Sequence, residues 1–440
     1  MNVITSAPRP ALLPRRVVLA AALGGLVGSP FLAGCGRDPI TSDMVRANVD
    51  RNRPDAMPTA ATVDSLTRFG AEISSQAQAG SHNNFLCSPL SLWLALAMTR
   101  NGAAGRTAAE MDKALRFGDL AGLNQGLNTT SQLLAERSGK QQTSSRTGKV
   151  ALRIANQLFG DQTFSKDPNA WRRPFLAAVA RYYGTGMALA DFQHKPADAQ
   201  RRINDWVADQ TNDKITKLLP DGMITGDTRL VLVNALYLAA PWLEKFAAAG
   251  RRPFHRHDSV VPADMMRISM DSGTAKTMLG TVVRIPYLGN QLAMTVMLPA
   301  PGREAAVRDR LVRELPGMLG QLAPAQVILT MPKFSYRTTI DVKLVLRSRG
   351  MELAFSDSAD FSLMSPQPLK ITDIAHQCTI GVDEEGTEAS AATAVVLDAS
   401  SGSSARPIEI TLDRPFWYVI HDLATKVPLF VGYLADPTAS

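Results

Sequence analysis

The sequence predicts a mixed α+β fold, and three observations carry that reading. Segments with apolar residues at helical spacing crowd into the first half of the 440-residue chain. Short apolar runs that read as strands crowd into the second half. Between Glu384 and Leu397 one further stretch has the alternation of a buried strand but is flanked by flexible chain.

In chain order, Ala61 to Gln78 carries Val63, Leu66, Phe69 and Ile73 at helical spacing. Leu90 to Thr99 is apolar nearly all round and reads as a buried helix, with Ser88-Pro89 as its start. Arg137 to Lys149 reads as a solvated basic surface loop rather than a polyanion site. Helices are predicted over Ala170 to Tyr183, Ala197 to Leu219 and Ile340 to Arg349, the last closed by Gly350. Strands are predicted over Val231 to Tyr237, Val282 to Tyr287, Leu292 to Leu298 and Gln326 to Pro332. Three more follow at Ile408 to Leu412, Phe416 to Asp422 and Leu429 to Tyr433.

The stretch after Glu384 is the most informative. Side chains alternate faces along a strand. One face would carry Thr387, Ala389, Ala391, Thr393, Val395 and Leu397, all small or apolar. The other would carry Glu388, Ser390, Ala392, Ala394, Val396 and Asp398. Gly386 hinges one end, and Ser400-Ser401-Gly402-Ser403-Ser404 loosens the other. The pattern describes a loop able to become a strand.

The first residues are an address. Arg9, Arg15 and Arg16 form a positive region, Val17 to Phe31 an apolar one, and Leu32-Ala33-Gly34-Cys35 resembles a bacterial lipobox. Small residues there admit a signal peptidase, and the Cys35 thiol would accept diacylglycerol. The apolar run is short for a membrane span. The expected organisation is a signal peptide over 1–34, a flexible tether over 35–58 and one domain over 59–440. The protein would be exported and lipid-anchored to the cell envelope. Because Gly36 is not Asp, the outer membrane is the destination in a source with two membranes. Cys87 and Cys378 remain, either as buried thiols or as a pair.

Charge and motifs exclude other classes. The formal net charge is +7, and three of its positive charges leave with the signal segment. Without a basic stripe interleaved with aromatics, nucleic-acid binding is unsupported. The sequence has no G-x-S-x-G, H-E-x-x-H, P-loop or S-x-x-K, which speaks against an enzyme. His255-Arg256-His257-Asp258 is too sparse for a metal site, so neither metal nor cofactor is expected.

Several blocks resemble one family in order. Asn84-Phe85-Leu86-Cys87-Ser88-Pro89-Leu90-Ser91 is similar to the serpin N-x-x-x-S-P-x-S segment. Val233-Asn234-Ala235-Leu236-Tyr237 with Trp242 and Phe246 resembles the serpin strand-and-turn block. Asp383 to Thr393 resembles the serpin hinge, and Asp413-Arg414-Pro415-Phe416 with Leu429 to Leu434 and Asp436-Pro437 resembles the C-terminal signature.

The resemblance implies three β-sheets, eight or nine helices, a metastable native state and an exposed reactive-centre loop over about 384–407. It implies a monomer that baits a serine protease and traps its acyl-enzyme by inserting the cleaved loop into the central sheet. It assigns Glu384, Glu385, Gly386, Thr387, Glu388, Ala389, Ser390, Ala391 and Ala392 to the hinge. Ser88, Ser91, Asn234 and His376 would form a polar cluster where strands part, and Trp242 would cap the sheet. Lys333 would pair with Glu384. Loop length places the cleaved bond between Ser400 and Ser401, with its neighbours, Leu397 and Arg406 as the other candidates. A small residue there suits an elastase-like or subtilisin-like target. The alternative is a non-inhibitory serpin that binds or chaperones. Thr387, Ala389 and Ala391 speak against it, because a loop unable to insert tends to carry a charge, Pro or bulky group on that face.

Overall fold

Among the described residues, eight α-helices form: α1 (Ala60–Ala77), α2 (Pro89–Arg100), α3 (Gly105–Leu115), α4 (Leu120–Ala135), α5 (Arg173–Tyr183), α6 (Pro196–Gln210), α7 (Glu304–Gly320) and α8 (Val342–Ser348). The computed structural model describes residues 44–144, 146–163, 170–388, 393–394 and 406–439. Local chemistry explains the ends. The Thr59 hydroxyl accepts from the Thr62 amide, and the Ser88 hydroxyl accepts from the Ser91 amide with Pro89 in the first turn.

The helix expected to run to Leu219 stops at Gln210. There the Thr211 hydroxyl turns back to the Val207 carbonyl at 2.7 Å and accepts from the Ile215 amide. Asn212 and Asp213 then take φ of +52° and +59°, which no right-handed helix allows.

Eighteen strands lie among the described residues. The first nine are β1 (Met44–Val45), β2 (Phe85–Cys87), β3 (Gly139–Gln142), β4 (Arg146–Asp161), β5 (Met187–Ala190), β6 (Leu230–Pro241), β7 (Ala247–His255), β8 (Val260–Lys276) and β9 (Gly280–Pro286). The rest are β10 (Leu292–Pro299), β11 (Ala323–Pro332), β12 (Phe334–Thr339), β13 (Asp373–Val382), β14 (Gly386–Thr387), β15 (Thr393–Ala394), β16 (Ile408–Thr411), β17 (Phe416–Asp422) and β18 (Pro428–Leu434). One network orders β1-β5-β4-β6-β14-β13-β12, with β3 and β15 on β4. The other orders β16-β11-β8-β9-β10-β17-β18-β2, with β7 on β8. The 17-residue β8 joins two portions of this second network, which accounts for three sheets in two connected ladders.

Two further expectations are corrected. Residues 137–149 are not all loop. Gly139–Gln142 is β3 and Arg146 opens β4, paired from Gly139–Val150 to Gln142–Thr147, so most of the stretch is a hairpin at the surface. The alternation there was masked by small polar residues, and Arg146 is only 5% exposed.

Nor is all of 35–58 a free tether. β1 pairs with β5, Met44 to Ala188 and Val45 to Met187. Arg51 then donates to Asn128 Oδ1 at 3.0 Å and Ser131 Oγ at 2.6 Å on α4, and the Asn52 amide donates to the Arg181 carbonyl at 2.7 Å. The body leaves room for this strap: a Cβ on Gly186 would fall 2.5 Å from the Val45 carbonyl oxygen. The polar face of α4, which obscured its helical period, is what receives the strap.

Candidate functional site

The site is the upper end of the sheet between β6 and β13. These strands pair in parallel from Val231–Asp373 to Asn234–His376. Higher up, β14 lies between them, with Thr387 opposite both Ala240 and Val382 and Gly386 opposite Pro241. The root of the loop is therefore already in the sheet. Gly386 is extended and needs no special φ; the left-handed residue is Glu388, at φ +48°.

A tight turn sets this up. Asp383 Oδ1 accepts from the Glu385 amide at 2.8 Å and the Gly386 amide at 3.2 Å. The preceding carbonyls are held by one aromatic block. The Trp242 amide donates to the Glu385 carbonyl, Trp242 Nε1 to the Asp383 carbonyl, each at 2.9 Å, and the Phe246 amide to the Glu384 carbonyl at 3.0 Å. Trp242 is fully buried and stacks on Tyr287 at 4.6 Å. The Tyr287 hydroxyl lies 2.6 Å from Thr387 Oγ1, and burial pushes that phenol well above its ordinary pKa. Both side chains are sealed from water, so the hydrogen bond satisfies two polar groups that would otherwise be orphaned.

Charges fix the turn from outside. Lys333 Nζ lies 3.2 Å from Glu384 Oε1. Glu385 pairs with Lys245 and, at 3.0 Å, with Arg146. Arg146 also donates to the Trp242 carbonyl at 2.7 Å. Neither Arg146 nor Tyr287 was identified as a site residue from sequence. Arg146 sits among Ser, Thr and Gly with nothing to mark it, whereas Tyr287 offered one signal, an aromatic ending an apolar strand.

Lower down, a polar cluster occupies the place where β6 and β13 part. His376 Nδ1 donates to Asn234 Oδ1 at 2.8 Å, and Nε2 accepts from the Ser88 amide at 3.2 Å. The Ser88 hydroxyl caps α2 through the Ser91 amide, and the Ser91 hydroxyl reaches Asn156 Oδ1 at 3.5 Å. Burial keeps the imidazole neutral and lowers its pKa to about 3. All four side chains named from the sequence, Ser88, Ser91, Asn234 and His376, meet here, fully enclosed. Cys87 and Cys378 are free buried thiols rather than a pair. The Cys378 Sγ lies 3.4 Å from His376 Nε2.

Ala389, Ser390, Ala391, Ala392, Ser400, Ser401 and Cys35 fall outside the described residues. Between Ala392 and Ser400, β15 pairs antiparallel with β4, Thr393 to Thr147 and Ala394 to Arg146. The His255 to Asp258 turn is engaged otherwise: Asp258 pairs with Arg256, and the His257 ring lies 3.9 Å from that of His82.

This geometry agrees with comparisons to known proteins. A family model described as "Serpin (serine protease inhibitor)" matches residues 64–437. Serpin B4 of Homo sapiens is 31% identical over 396 residues, spanning 84% of this chain and 98% of its own. A leukocyte elastase inhibitor of Xenopus laevis is 32% identical over 370 residues, spanning 81% and 94%. Among solved structures, the thermophilic serpin tengpin in its native state superposes with a TM-score of 0.75 at 27% identity, covering 89% of this chain and 97% of its own. The chain belongs to the serpin family of serine protease inhibitors.

Proposed function

We propose that this protein is a suicide substrate for serine proteases, with shallow-pocket, elastase-like or subtilisin-like enzymes as its targets. The observation that carries the reading is β14 lodged between β6 and β13. Thr387 stands opposite Ala240 in an antiparallel register. Each further residue would descend one position on β6, so Leu397 would reach Leu230, the first residue of that strand. Residues 388–392 would fill the stretch above Asn234. Residues 393–396 would have to displace the four pairs that β6 and β13 now share. The His376–Asn234 hydrogen bond is the first of those contacts that insertion meets, which gives the buried cluster a role as a shutter.

The chemistry follows from this path. The protease serine attacks the Ser400 carbonyl, the peptide nitrogen of Ser401 leaves with a proton, and an ester joins the enzyme to Ser400. Insertion of the freed strand would bury Val395 and Leu397, each worth roughly 1.5–3 kcal/mol, and add backbone pairing along both sides. That energy would move the ester, and the protease on it, away from the mouth before water completes hydrolysis. The Trp242 block and the Lys333–Glu384 pair would hold the mouth until cleavage. Cys35 would anchor the chain in a lipid surface.

The test is incubation of the chain beginning at Gly36 with elastase and subtilisin. An SDS-stable complex at summed mass, together with a higher melting temperature after a nick near Ser400, is expected. Clean cleavage with no complex and no gain in melting temperature would replace this reading with a non-inhibitory, binding role.

A further inference from the structure

Glu388 has a setting foreign to an ordinary loop carboxylate. Its left-handed backbone turns the side chain back over Gly381, and the Glu388 amide donates to the Gly381 carbonyl at 2.8 Å. The Glu388 Cγ lies over this strand, 3.7 Å from where a Cβ on Gly381 would stand, which is ordinary van der Waals contact. The carboxyl faces a cleft of about 780 Å³ beside the root of the loop. The side chain is only 4% exposed, and Oε2 accepts no hydrogen bond.

The charges around it are few. Lys214, on the loop after α6, is its ion-pair partner at 3.8 Å and is itself half exposed. On β6, the Tyr237 phenol is pushed up by burial and by the Glu388 charge. Lys333 and Asp383 line the cleft near the turn, and Arg251 and Asp264 line it as a pair at 3.1 Å. The parts of β12 and β13 that face the cleft carry no titratable group.

We propose that Glu388 is a proton-operated latch on the root of the loop. With its carboxyl protonated it stays in the cleft and keeps Gly386–Thr387 between β6 and β13; with the carboxyl ionised it leaves the cleft and loosens that pairing. Burial supports the direction, lifting the pKa from 4.5 to about 7 against a weaker downward pull from Lys214. The docked root holds a proton that a solvated carboxyl releases. Docking is therefore strongest below the solvated value, weakens as pH rises towards 7, and is level above it. Across that window the docking constant falls on the order of a hundredfold.

The experiment follows hydrogen exchange at the Thr387 and Glu388 amides in the chain beginning at Gly36, corrected for chemical exchange rate, from pH 5 to 8. No protease is involved, so the outcome is independent of whether the protein traps one. Wild-type protection is expected to fall ten- to hundredfold between pH 5 and 7.5. Glu388→Gln, neutral at every pH, is expected to stay protected throughout. Lys214→Met removes the cation that favours the ionised docked form and is expected to deepen the fall. A flat wild-type profile, a Gln variant that falls as wild type does, or a Gln variant unprotected at pH 5 overturns the latch.

Discussion

Arg146 and Glu385 lie far apart in sequence and form an ion pair at 3.0 Å across the mouth of the sheet. The same guanidinium donates to the Trp242 carbonyl at 2.7 Å, so one side chain ties β4, the Trp242 block and the hinge turn together. Its side chain is 4% exposed, which protects the pair from salt screening that weakens surface pairs. Arg146→Gln keeps some stem packing but leaves the Trp242 carbonyl short of a donor. The expected cost is about 1–3 kcal/mol, read as a lower urea midpoint with an unchanged slope. Arg68→Gln, at an exposed i,i+4 pair with Asp64, serves as the reference and is expected to cost under ~0.5 kcal/mol.

His376 makes acid the enemy of this native state. Its ring is buried and neutral, with the pKa lowered from 6.5 to about 3 by desolvation. Unfolding, or opening of β6 from β13, frees the ring to take a proton. The stabilisation is complete above pH 6.5 and is lost as pH falls towards 3. Between pH 7 and 4.5 the loss from this group is on the order of 2–3 kcal/mol. His421 is also lowered, to about 4, so the difference between wild type and His376→Gln isolates the contribution. Urea unfolding of both proteins at the two pH values is the measurement. Equal acid sensitivity in the two would remove His376 from this role.

The parts of the site that the sequence revealed are those whose chemistry is local. Ser88-Pro89 marks a helix start on its own, and the alternating stretch begins at Gly386–Thr387, which lies in the sheet. Asn234 and His376 were named through resemblance, and β6 and β13 bring them to 2.8 Å. What stayed hidden depends on pairing between distant segments. Arg146 looked solvated because nothing near it in sequence is apolar, yet Trp242 and Glu385 enclose it. The strap from Met44 to Asp55 read as tether because its polar residues find their partners on α4 and α5, far along the chain. Glu388 was placed in the hinge through resemblance, and nothing near it in sequence pointed to Lys214 of the loop after α6 as its partner.

Cys35→Ala is expected to leave the protein unlipidated. The basis is Leu32-Ala33-Gly34-Cys35 behind a charged, apolar leader. In a bacterial host, wild type is expected in the membrane fraction and to partition into detergent, and the variant in the soluble fraction. The fold should not change, since the family match begins at residue 64. Equal membrane recovery of both would sink the anchor.

Thr387→Arg is expected to turn inhibitor into substrate. Thr387 is 2% exposed, and its hydroxyl meets that of Tyr287 against the Trp242 stack. An arginine cannot occupy that place without burying an unpaired guanidinium, at a cost of several kcal/mol. The root of the loop would be expelled, and insertion after cleavage would have to begin from outside the sheet. Meanwhile Ser400 and Ser401 are untouched, so the bond is still cut. The expected result, with whichever protease wild type traps, is at least a tenfold fall in the ratio of SDS-stable complex to cleaved free protein. Thr387→Val separates size from charge: it removes only the bond to Tyr287, costs about 1–3 kcal/mol, and still fits between β6 and β13. Its partition should stay near wild type. An Arg variant that traps as well as wild type would show that insertion does not begin at Thr387, and the register that carries Leu397 to Leu230 would fall with it.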